Sequence, residues 1–269
     1  MEINLTGVEV TPQTEMSRRM AMLIWGDAGC GKTVLACSAP GNKLLINFDP
    51  DGPDSLGKRP DVMVADLSGE NHSVTSKFKT DDPLNISRAL ADDENGIETV
   101  IVDSITSYSQ IATDAGIAST KGATLERPSP GAYGARNNLT LRMVSAINRI
   151  THKYNKHVIF ISHEAPPVTD DSNTVLHITM MLGGSLMQSI PLKLSEVWYM
   201  QDIGKDRRIL TRPGRTRKPM KTRMFDTSKK SEFISPYDQF GKDAPYGEGS
   251  LKSYIDKYRE NDYDKIKIP

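Results

Sequence analysis

The chain has 269 residues, enough for one large domain or two small ones; 37% are hydrophobic and 25% charged. Lys plus Arg and Asp plus Glu both number 34, so bulk charge points to no particular partner. The composition is that of an ordinary globular protein able to bury a core without staples. No apolar run is long enough to span a bilayer and residues 1–19 lack the apolar centre of a secretory signal. Cys30 and Cys37 have no metal-ligand spacing. We therefore expect a cytoplasmic protein, in a reducing compartment and without a membrane partner.

In chain order, residues 1–16 are polar with one alternating patch, Ile3 to Val10, and read as an arm or edge strand. Met20 to Trp25 is an apolar run that predicts a buried strand, followed by Gly26-Asp-Ala-Gly-Cys-Gly-Lys32-Thr33 and the start of a helix at Val34. Lys43 to Phe48 predicts a second buried strand and Val62 to Ala65 a short third one. Asp82-Pro83 caps a helix carrying Leu84, Ile86 and Leu90. Thr99 to Val102 predicts another strand. Residues 112–134 have little periodicity and read as a long loop. Leu139, Met143, Val144, Ile147 and Ile150 mark one buried face of a helix from Ala135 to Tyr154. His157 to Ile161 is a strand, 164–182 a second weakly ordered stretch, and Leu194–Tyr199 and Arg208–Thr211 two more strands. A short charged helix is expected near 249–259. Strands alternating with helices predict an α/β fold with a mostly parallel central sheet flanked by helices. We divide it into an arm (1–16), a core (17–225) and a C-terminal extension (226–269).

The stretch Gly26–Thr33 is G-x-x-x-x-G-K-T between a strand and a helix, the setting of a P-loop. Gly26, Asp27, Ala28, Gly29, Cys30, Gly31, Lys32, Thr33 and Val34 are the expected nucleotide-binding residues. The glycines let backbone N–H groups turn toward a phosphate chain. Lys32 is expected to reach the β- and γ-phosphates of ATP, and the Thr33 hydroxyl to ligate Mg²⁺. Val100-Ile-Val-Asp103 supplies a carboxylate at a strand end. Alone it reads as a capping Asp; after a P-loop it reads as the Mg²⁺-holding aspartate.

Hydrolysis also needs a group that orients or deprotonates water. Phe48-Asp49-Pro-Asp51-Gly-Pro-Asp54 offers carboxylates that Pro and Gly would hold outward, Asp51 first and Asp49 second; the alternative is a solvated acidic turn. His163, ending the strand from His157, is a candidate sensor of the γ-phosphate, or else a hydrogen-bonded strand-end histidine. Residues 204–230 hold eleven Lys and Arg against two Asp, a local charge of +9. Around Pro213-Gly214 this reads as a cationic hairpin, able to meet a nucleic-acid backbone or a neighbour's γ-phosphate, or to be merely a solvated basic turn. Lys121, Arg127, Arg136 and Tyr133 add cations and one stacking ring near the long loop.

This order of motifs resembles the phage-encoded RecA-like ATPases of the single-strand annealing and recombination type, relatives of RecA and RadA. The resemblance spans roughly 17–225. It rests on Ala21–Thr33, Ser38–Gly52, Val100–Ser104, Tyr133-Gly134, His157–Glu164, Gly183–Leu186, Glu196–Tyr199 and Lys221-Thr-Arg223-Met-Phe225. It implies a RecA-like P-loop core that binds single-stranded DNA through 112–134 and 164–182. It further implies a self-assembled ring or filament, with a single-strand-binding protein as a possible partner and the host cytoplasm as location. Lys221 and Arg223 resemble the element that completes a neighbouring subunit's site. RecA carries a glutamate where Asp51 stands, and an aspartate reaches less far. The 164–182 stretch holds three acids and no Lys or Arg. A DNA-stimulated ATPase is the first expectation. A nucleotide-gated annealing scaffold with negligible turnover, a helicase-like motor and a P-loop kinase are the alternatives.

Overall fold

The computed structural model describes residues 18–50, 52–236, 241 and 246–269. The proposed arm, 1–16, and Asp51 lie outside them.

An eight-stranded sheet runs through the molecule in the spatial order Glu232–Pro236, Asp206–Leu210, Glu196–Asp202, Ala21–Gly26, His157–His163, Ile97–Asp103, Asn42–Asn47, Val62–Asp66. The parallel strands are β1 (Ala21–Gly26), β2 (Asn42–Asn47), β3 (Val62–Asp66), β4 (Ile97–Asp103), β5 (His157–His163) and β8 (Glu196–Asp202). Two antiparallel strands, β9 (Asp206–Leu210) and β11 (Glu232–Pro236), close one edge. All six residues of β1 are buried, as expected of a strand covered on both faces. Successive residues supply alternate cores. Leu23 and Trp25 face the layer containing α3 (Ile105–Ser119) and α4 (Pro130–Lys153), while Met22 and Ile24 face α1 (Lys32–Cys37) and α6 (Leu251–Glu260). On the second face Trp198, Phe225, Phe233 and Tyr254 pack with ring centroids 5.3–6.2 Å apart. Residues beyond 225 thus contribute both a sheet strand and a packed helix.

Three sequence readings are corrected. The long loop expected over 112–134 is mostly helix: α3 continues to Ser119 and α4 begins at Pro130, leaving 120–129 between them. The two helices lie so close that a Cβ at Gly116 would stand 2.4 Å from the Ala132 carbonyl oxygen. Gly116 and Ala112 therefore act as packing residues, and their small size hides the helical period. Ser129 caps α4 by accepting the Ala132 N–H, with Pro130 in its first turn. Second, the 164–182 stretch contains an exposed two-stranded ribbon, β6 (Val168–Thr169) with β7 (Val175–His177). Third, Pro213-Gly214 is a tight turn and not the tip of a hairpin. The Gly214 N–H donates to the Arg217 carbonyl at 3.3 Å, but the chain then bridges Ile178 through Arg217 and Val197 through Lys221.

Candidate nucleotide site

The carboxyl ends of β1, β4 and β5 converge on the loop 26–33. A Cβ on Gly26 would meet the Met200 carbonyl oxygen at 2.0 Å, so only glycine lets the loop leave β1 alongside β8. Gly29 and Gly31 have φ of +74° and +91°, a region that L side chains avoid. Asp27, Ala28 and Gly29 are exposed, while Cys30 and Val34 are buried beneath them. The Lys32 ammonium curls over the loop and donates to the carbonyl oxygens of Gly26 (3.1 Å) and Asp27 (2.5 Å). It is 95% buried, yet bonded only to exchangeable backbone acceptors and close to Cys30 Sγ at 3.9 Å. A phosphate chain is a stronger acceptor for such a cation.

Thr33 Oγ1 donates to Asp103 Oδ2 at 2.5 Å. Asp103 ends β4 and is 2% exposed. Burial raises its pKa to about 6; the Thr33 bond and Lys32 oppose this, and the charge of Asp49 adds to it. A buried carboxylate held against its preference, touching a hydroxyl beside a P-loop, fits a divalent cation shared with phosphate oxygens. Among the described residues no group of three His, Cys, Asp or Glu is arranged to hold a metal unaided.

Asp49 is turned inward rather than outward. Its Oδ1 accepts Ser104 Oγ at 2.9 Å and also Ser107 Oγ, and its Oδ2 lies 2.9 Å from His163 Nε2. Burial raises the Asp49 pKa, but the bonds from His163, Ser107 and Ser104 outweigh it and the net shift is downward. Asp49 is thus an ionised acceptor with both oxygens engaged. In the tautomer that donates through Nε2 to Asp49, the His163 ring would present Nδ1 as an acceptor. His163 itself pairs with Gly26 across β1 and β5, and its N–H donates to Thr106 Oγ1 (2.9 Å), which also contacts the buried Ser162 hydroxyl at 3.0 Å. Lys32, Thr33, Asp103, Asp49 and His163 therefore share one end of the sheet. The hydroxyls of Ser104, Thr106, Ser107 and Ser162 were not anticipated; the run Asp103-Ser-Ile-Thr-Ser107 was the available signal.

Lys221 and Arg223 lie at the other end. Lys221 bridges Val197, and the Arg223 N–H donates to Glu196 Oε1 at 2.6 Å, where β8 begins. Burial and the charge of Arg223 lower the Lys221 pKa. In register Lys221 and Arg223 lie level with Leu23 and Met22, three and four residues before Gly26 and two strand positions across from β1, roughly 10–13 Å along the strand from the P-loop. No contact joins either cation to Lys32, Thr33 or Asp103 among the described residues. Part of the basic stretch is internally paired: Arg208 with Glu232 at 2.6 Å and Arg207 with Asp202 at 3.1 Å. Arg217 stacks 5.1 Å over Tyr199. Arg212 and Arg215 are exposed.

The ribbon is tied directly to the nucleotide site. The Glu164 N–H donates to the Gly26 carbonyl at 2.9 Å and the Met181 N–H to the His163 carbonyl at 2.8 Å. Beneath the ribbon a groove of about 600 Å³ is lined by residues that include Tyr133, Arg136, Val168, His177, Met180 and Met181. Arg136 sits 5.0 Å over the Tyr133 ring. Gly183 faces this arginine, and a Cβ there would stand 2.1 Å from its Nη2.

Among the described residues no helix is long and apolar enough to cross a membrane. The family described as "AAA domain" matches residues 18–235. No curated protein matches the chain.

Proposed function

The chain belongs to the AAA domain family and is a P-loop ATPase, and from that premise we propose that it binds and hydrolyses ATP with Mg²⁺ while engaging single-stranded DNA in recombination or strand annealing. Lys32 and the loop amides hold the phosphates. Thr33 and Asp103 would hold Mg²⁺, which when bound neutralises charge on the β- and γ-phosphates. Asp49 orients His163, and the ring's Nδ1 faces the task of positioning water or reading the γ-phosphate.

The observation that carries the DNA reading is the pair of bonds from Gly26 and His163 to Glu164 and Met181. Through them a change at the γ-phosphate reaches the ribbon and its groove, where Arg136 and Tyr133 offer a cation and a stacking face. Such a link lets ATP binding order a DNA-contacting segment and hydrolysis release it. Because neither Lys221 nor Arg223 contacts its own P-loop among the described residues, their role as a completing element requires a neighbouring subunit, and hence a ring or filament.

The test is phosphate release with and without single-stranded DNA, together with binding measured across salt concentrations. Stimulated release and salt-sensitive binding are expected; neither occurring sinks the DNA reading. The three donors on Asp49 favour a second reading, an annealing scaffold with negligible turnover, since that carboxylate is not free to take a proton. Rapid multiple turnover would dismiss it.

A further inference from the structure

A second cavity of about 370 Å³ opens at the edge opposite the P-loop, where β1, β5 and β8 begin. Its lining includes Arg18, Arg19, His157, Arg223, Tyr258 and Tyr263. Among the described residues none of these arginines forms an ion pair, and neither does Arg259, which reaches His157. Arg19 is held by neutral oxygens, Thr151 Oγ1 at 2.9 Å and Asn148 Oδ1 at 2.5 Å. Arg18 lies 4.8 Å over the Tyr263 ring, which meets Tyr258 edge-on at 5.4 Å. The acid in the wall, Glu196, is already occupied: Oε1 accepts the Arg223 and Met224 N–H groups and Oε2 accepts the Trp198 indole.

His157 makes the imbalance concrete. It is 4% exposed. Its Nδ1 lies 2.9 Å from the Met20 N–H and its Nε2 3.0 Å from Arg259 Nη2. A neutral imidazole has one acceptor nitrogen, so two donors compete for one lone pair and one proton is left without an acceptor. Burial, Arg259 and Arg19 hold its pKa down to about 4 against the opposing charge of Asp256, a carboxylate already paired with Lys252. With Glu196 and Asp256 both engaged by other donors, no carboxylate among the described residues pairs with the cavity's arginines.

We propose that this cavity is a binding site for a small organic phosphate of nucleotide size, with Arg18, Arg19 and Arg223 facing the phosphate and Tyr258 and Tyr263 the organic moiety. A bare phosphate would leave most of the volume and both rings unused. The site is separate from the P-loop and stands or falls independently of the DNA reading.

The test uses the full chain with Lys32→Ala, which disables the P-loop, and ADP as probe in equilibrium dialysis without Mg²⁺. About one equivalent of ADP should still bind. Adding Arg18→Glu should weaken it about tenfold or more, while Lys58→Glu, an exposed charge elsewhere, should not. Tyr263→Leu should weaken ADP but leave pyrophosphate unchanged. No retained ADP, equal losses with Lys58→Glu, or retention that vanishes when the protein is diluted to monomer would overturn the proposal; the last outcome would assign the phosphate to a neighbour's P-loop. Magnesium-dependent ATP binding by the parent chain, measured in parallel, reports on the P-loop separately.

Discussion

Asp103→Asn should stabilise the nucleotide-free protein at pH 8 while removing its response to Mg²⁺ and ATP. The parent carboxyl has a folded pKa of about 6 against an ordinary 3.8. Between those values the folded protein holds a proton that the unfolded chain has released, so stability falls as pH rises through the window. Above pH 6 the whole penalty is present, roughly 3 kcal/mol at ~1.4 kcal/mol per pH unit. At 2% exposure solvent screening does not reduce it much. Asparagine removes the charge but keeps an acceptor for Thr33 Oγ1; the weaker bond gives back about 1 kcal/mol. The net gain of about 2 kcal/mol corresponds to a rise in Tm of roughly 4–8 °C for a chain of this size. Thermal unfolding followed by circular dichroism at pH 8 and near pH 4 measures it. The gain should shrink toward the lower pH, where the parent carboxyl is protonated. Adding Mg²⁺ and ATP should raise the parent Tm and leave the variant's nearly unmoved. A variant no more stable than the parent at pH 8, or an advantage that persists unchanged at pH 4, would refute the claim that Asp103 is a strained, cation-seeking carboxylate.

His157 carries the opposite slope: with a folded pKa of about 4 against 6.5, its contribution of roughly 3 kcal/mol is present above pH 6.5 and is lost as pH falls toward 4. His157→Asn should flatten urea midpoints across that range, and a slope unchanged from the parent's would contradict the reading. Gly116→Ala should cost about 1–3 kcal/mol by overpacking against Ala132, despite the better helix propensity of alanine; unchanged or higher stability in urea titrations would show that α3 and α4 separate easily. His163→Ala should lower kcat about 100-fold with little change in KM, and a loss confined to KM would make the ring a binding group only. Arg223→Ala should impair hydrolysis only in assemblies, and mixing it with Lys32→Ala protein should recover part of the activity at mixed interfaces; no recovery in demonstrably mixed oligomers counts against action between subunits.

The parts of the site legible in the sequence are those whose chemistry is local. A strand, three constrained glycines and Lys32-Thr33 announce a phosphate cradle because backbone geometry over eight residues builds it. Asp103 could be read because a buried strand must end at the same edge as β1 in a parallel sheet. The orientation of Asp49 could not. Its donors, Ser104, Ser107 and His163, lie 55 to 114 residues away, and a hydroxyl carries no pattern that distinguishes a ligand from a solvated serine. α3 was hidden for a related reason. Its buried face is built partly from Thr106, Ser109, Ala112 and Gly116, residues that pack by being small, so periodicity of apolar side chains had nothing to detect. Lys221 and Arg223 were recognisable as a pair, but only the strand register places them at the far edge. That placement changes the question asked of them. At their own P-loop they would be catalytic candidates; near Glu196 and Arg18 they belong to a cationic edge, the place where the proposed neighbouring subunit or phosphate ligand would supply negative charge.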